Sequence, residues 1–85
     1  MITRMWECRL AHDCVPTADL LPGGADVYVS YDGPARVVVL SHFADEAAVA
    51  AYAGSSWRLD ARAEAAAFGD AAGSDPHVWH FTRIS

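Results

Sequence analysis

Val37, Val38, Val39 and Leu40 stand consecutively inside ARVVVLSHF (35–43), and this run constrains the fold more than any other stretch of the chain. β-Branched residues in that density read as a strand. Side chains alternate across a strand, so four apolar residues in a row send apolar groups out of both faces of the sheet. A strand of that kind is covered on both sides. Eighty-five residues read as one domain, 1–85, with a thin core that something must supplement. The apolar fraction of 53% exceeds what one small core takes up, and a buried subunit interface uses the surplus.

The remaining elements arrange themselves around that strand. ITRMWECRL alternates as a first strand, with Ile2, Trp6, Cys8 and Leu10 on one side and Thr3, Met5, Glu7 and Arg9 on the other. Residues 11 to 25 form a short crossover with at most a brief helix from Thr17 to Leu21, stopped by Pro22, Gly23 and Gly24. DVYVSY (26–31) pairs with 35–43 as a hairpin through Asp32, Gly33 and Pro34. Asp45 caps a helix over 45–53 that Gly54 ends. Ser55 or Ser56 then caps a second helical run, closed by Gly69, with Trp57, Ala61, Ala65 and Phe68 on one stripe and Arg58, Asp60, Arg62 and Glu64 opposite. HVWHFTRI (77–84) is the last strand.

A hairpin flanked by two crossovers is the split βαβ arrangement: an α+β, ferredoxin-like, four-stranded antiparallel sheet with helices on one face. Those helices cover one side of strand 35–43. The other side must meet a second sheet, and a second copy of the chain is the simplest supplier, giving a homodimer. Trp79 and Phe81 alternate with His80 and are the candidate interface residues.

Charge and composition exclude several roles. The formal net charge is −5, and six arginines with no lysine make no basic stripe, so nucleic acid is not an expected partner. No stretch approaches the roughly 18 apolar residues of a membrane span. Cys8 and Cys14 are too few for a disulfide framework, and no signal-peptide pattern opens the chain, which points to the cytoplasm and reduced thiols, with a Cys8–Cys14 bridge geometrically open. His12, Asp13 and Cys14, and His77 with His80, supply metal-ligand types. His77 and His80, however, leave opposite faces of a strand, and no metal is expected. Nucleophile motifs, phosphate-cradling loops and paired catalytic carboxylates are absent from the sequence, and Gly23, Gly24 and Gly33 read as turn residues.

Three segments carry a resemblance. MITRMW, the run VVVLSHF followed by ADEAAVAAYAG, and HVWHF resemble, in order, the opening strand, the third strand with its helix, and the closing strand of antibiotic-biosynthesis-monooxygenase-like proteins of the dimeric α/β-barrel superfamily. They span about half the chain. The resemblance implies a dimer whose sheets pack into a shared barrel, and a cavity between helices and sheet. It also implies an aromatic or polyketide-like substrate, oxidised with molecular oxygen and no cofactor. Relatives of that fold degrade haem, close polyketide rings or have no known reaction. The haem-degrading set of Asn, Trp and His finds no match, since position 7 is Glu and the helix offers Tyr52. The chain departs from the family in its short first crossover and in carrying DARAEAAAFGD where a Tyr-Pro-Asp type segment is usual.

His80 matches a histidine of the family's closing strand and Trp6 a tryptophan of its opening one. A histidine near neutral pKa can deprotonate a phenol or enol. His42, at the end of strand 35–43, is the second candidate acid or base, provided it shares a cavity with His80. Tyr52, Trp57 and Phe68 point from the helices toward the sheet and either build the core or, with Trp6, stack on a planar substrate. The leading expectation is cofactor-independent monooxygenation. Ring closure or isomerisation by the same histidines is the alternative, and so is a non-catalytic dimeric binding module, which a filled space between helices and sheet would favour.

Overall fold

The computed structural model describes residues 1–10, 24–32, 36–68 and 76–84. Its elements are β1 (Ile2–Arg9), β2 (Asp26–Val29), β3 (Arg36–Phe43), α1 (Glu46–Ala53), α2 (Arg62–Phe68) and β4 (His77–Phe81). The strands form one sheet in the order β2-β3-β1-β4. Every neighbouring pair is antiparallel. This α+β arrangement is compatible with the ferredoxin-like one. The expected brief helix at 17–21, with His12, Asp13, Cys14 and Gly69, lies outside the described residues.

Register fixes which side chains share a face. Trp6 lies opposite Val39 on β3 and Val78 on β4, Cys8 opposite Val37, and Arg4 opposite Ser41 and His80. These residues form the inner face. Trp6, Cys8, Val37 and Val39 are fully buried and pack with Ala67 and Phe68 of α2, so the core sits between that helix and the central strands. A smaller cluster of Phe43, Val49 and Trp57 anchors α1 against the end of β3. Residues one step along each strand form the outer face. There Met5 lies between Leu40 and Trp79, and Val38 beside Tyr28. The consecutive apolar residues of β3 therefore do leave both sides of the sheet.

Local chemistry explains the helix ends. The Asp45 carboxylate accepts the Ala48 N–H at 2.9 Å and caps α1. Gly54, at φ +90°, takes the backbone out of the helix while its N–H still reaches the Ala50 carbonyl at 2.8 Å. In the hairpin, the Ser30 N–H donates to the Arg36 carbonyl at 2.9 Å and the Arg36 N–H to Ser30 Oγ at 3.1 Å.

Three expected elements are shorter than the sequence pattern suggests, the first being β2, which ends at Val29 rather than at Tyr31. The second helix does not start at Ser55 or Ser56: residues 55–59 form turns and α2 begins at Arg62. The carbonyls of Trp57 and Asp60, which a continuous helix would use internally, instead accept hydrogen bonds from Arg4. The Asp60 carboxylate accepts the Arg62 N–H at 2.9 Å, restarting the helix there. The last strand stops at Phe81 rather than Ile84, because its pairing reaches only Thr3, near the start of β1. Among the described residues no helix is long and apolar enough to cross a membrane.

Candidate functional site

Arg4 is on the inner face of a central strand and is fully buried. A buried guanidinium demands a carboxylate and hydrogen bonds for all five of its N–H groups. Glu64 of α2, also fully buried, supplies the carboxylate in a two-pronged pair, Nε to Oε2 at 2.7 Å and Nη2 to Oε1 at 3.0 Å. Nη1 donates to the Trp57 carbonyl at 2.7 Å, and Nη2 to that of Asp60. The fifth N–H, on Nη1, meets Nε2 of His80 at 3.1 Å. Glu64 thus faces the sheet, not the solvent side to which its charged neighbours pointed. It stands four residues before Phe68 on the same helical stripe.

That last contact defines the state of His80. Arginine has no acceptor, so Nε2 must carry the lone pair and the ring proton must sit on Nδ1. Burial, followed by the positive charge of Arg4, pushes the His80 pKa below the ordinary 6.5. His80 is a neutral imidazole at neutral pH. Its ring stands edge-on to Trp57, 4.7 Å between centroids and 79° between planes, while the guanidinium of Arg58 lies 4.4 Å over the Trp57 ring. Arg58 is in turn paired with Glu46 at the start of α1.

Beside this cluster runs an open groove of about 620 Å³, bordered by β4, an edge strand among the described residues, and the turn at 57–59. Ile2, Trp57, Val78, Trp79 and Phe81 contribute to its apolar lining, and Glu46, Arg58, His80 and Thr82 bring the polar groups.

The other candidates lie elsewhere. Trp6 and Phe68 stack on each other, centroids 5.0 Å apart and planes 6° from parallel, and both are buried. The Trp6 Nε1–H donates to the Ala61 carbonyl at 2.9 Å, so the indole is fully engaged in the core. Tyr52 packs against Phe43 at 5.5 Å, inside the protein. Burial and the nearby charge of Glu64 push its pKa up to about 12, so it stays a neutral phenol. Its hydroxyl is buried beside the Glu64 carboxylate, and that of Ser41 is buried with no hydrogen-bond partner among the described residues. Of the four aromatic candidates, only Trp57 lines the groove.

His42 and His80 do not share a cavity. Thr3 and His42 pair on the outer face, where His42 Nδ1 and Thr3 Oγ1 are 3.1 Å apart, whereas His80 faces inward. A division of acid and base roles between the two histidines within one site is therefore excluded by the sheet itself. Among the described residues no three His, Cys, Asp or Glu side chains cluster as metal ligands.

The two residues that organise the site, Arg4 and Glu64, are not among those the sequence reading singled out. Arg4 shares the two-residue alternation of Ile2, Trp6 and Cys8, and that spacing was the available signal of an inward-facing cation. No protein-family model matches the chain, and neither a curated protein nor a solved structure does.

Proposed function

We propose that this chain is a homodimeric module of the dimeric α/β-barrel type that binds a planar aromatic or polyketide-like molecule in the groove along β4. The observation that carries this reading is how the space between helices and sheet is used. The Trp6–Phe68 stack and the Arg4–Glu64 pair fill the region between the central strands and α2. What stays open is the groove, whose apolar lining with a few polar side chains has the character of a small-molecule site. Support for the dimer is the outer face, where Trp79 and Phe81, which also border the groove, are about half exposed beside Met5, Val38 and Leu40 with no described element over them.

A binding role fits the groove better than acid–base catalysis because the basic nitrogen of His80 is already occupied by Arg4. Oxygenation or ring closure in the same groove is the second reading, supported by an uncharged imidazole at its wall. It requires Arg4 to release Nε2 during turnover.

The test is an NMR titration with 9-fluorenone, a flat aromatic ketone. Binding in the groove shifts the Trp57 indole and His80 resonances, and Trp57→Ala abolishes the response. Unperturbed resonances at a saturating probe concentration contradict the reading. Oxygen uptake with an oxidisable phenol, lost in His80→Phe, would favour catalysis; no uptake in the presence of demonstrated binding favours the module.

A further inference from the structure

We propose that the groove selects ligands bearing a hydrogen-bond acceptor oxygen, an aromatic ketone or quinone, because Arg4 fixes His80 as a donor. This inference rests on the groove reading above and adds the chemistry that the occupant must have. The chain of constraint begins in the core. Glu64 takes two of the five N–H groups of Arg4, the carbonyls of Trp57 and Asp60 take two more, and the fifth has His80 Nε2 in front of it. Rotating the guanidinium away would leave buried acceptors unpaired, moving the ring proton to Nε2 would set two donors against each other, and flipping the ring would put a C–H in front of the Arg4 N–H. The tautomer with the proton on Nδ1 is therefore built in. No described residue accepts that proton, and the ring borders the groove.

Of the remaining polar lining, Thr82 brings a hydroxyl that can donate or accept. Glu46 is the single carboxylate on the groove wall, and it is paired with Arg58. Arg58 carries donors only and lies over the face of Trp57, whose flat ring stands edge-on to His80. A planar hydrocarbon would satisfy the apolar part of this lining and leave the Nδ1–H unpaired. A ketone oxygen satisfies both. Arg4 is a positioning residue in this account, since it reaches the ligand only through His80.

The experiment has two arms. Long-range nitrogen–proton NMR of the wild-type protein at neutral pH reads the His80 tautomer directly, and the proton is expected on Nδ1; a proton on Nε2 overturns the inference without any variant being needed. The second arm compares 9-fluorenone with fluorene, its isosteric hydrocarbon. Wild type is expected to bind the ketone about five- to tenfold more tightly. His80→Phe should remove that preference while still binding both, and His80→Gln, which restores an N–H donor, should recover part of it. Equal affinity of wild type for the two probes overturns the donor assignment and leaves the groove reading standing. Failure of both probes to bind overturns the groove reading, and this inference with it.

Discussion

Arg4 and Glu64 carry full charges at positions with no solvent exposure, so each is tolerable only because the other is there. Replacing Glu64 by Leu should lower unfolding free energy by about 3–5 kcal/mol, a large share of what a small domain has, measured by urea denaturation. The double variant Arg4→Met with Glu64→Leu should lose less than the sum of the two single changes, since no charge is then stranded; additive losses would contradict the coupling. His80 adds a pH dependence. Its folded pKa is held below 6.5, so as pH falls through 6.5 the unfolded chain takes up a proton that the folded chain resists. Its contribution to stability is complete above 6.5 and is lost as pH drops toward the folded value. His80→Phe should flatten that part of the profile relative to wild type, and identical profiles would count against the assignment. The alternation of Ile2, Trp6 and Cys8 carried a signal for the inward position of Arg4, whereas Glu64 was expected on the face opposite Trp57, Ala61, Ala65 and Phe68 and is buried instead. Their meeting was not legible, because sixty residues separate them and only the sheet order brings them together.

The elements were readable where one local interaction decides them. Asp45 before an Ala-rich run and Gly54 after it define α1 to within a residue. Asp45→Ala should cost about 1 kcal/mol and speed amide exchange in the first turn, whereas Asp45→Asn should cost little, because either oxygen-bearing side chain accepts the Ala48 N–H. The hairpin was equally plain, β-branched strands flanking a short turn. α2 was misread because the stripe of Trp57, Ala61, Ala65 and Phe68 carries helical spacing through a stretch whose carbonyls are claimed from outside by Arg4. Periodicity cannot register a competitor that arrives from β1. The same limit applies to β4, whose end is set by where β1 begins.

Across the molecule, the sheet has one face against α2 and α1 and another with only neighbouring side chains for cover among the described residues. Leu40, Met5 and Trp79 make a continuous apolar row across three strands of that outer face, with Phe81 beside it. Thr3, Glu7, Arg36 and His42 lie on the same face, and Glu7 and Arg36 are paired at 3.2 Å, so its polar groups are partly matched already. A second copy laid face to face would bury the apolar row and account for the apolar surplus of so short a chain. Sedimentation equilibrium of the wild-type protein alongside Trp79→Asp tests this most directly. A wild-type dimer converted to a folded monomer by a charge in the middle of the seam is the expected result. A wild-type monomer at every concentration, or a Trp79→Asp variant that sediments unchanged, would contradict the claim that the Val-rich strand is covered on both sides.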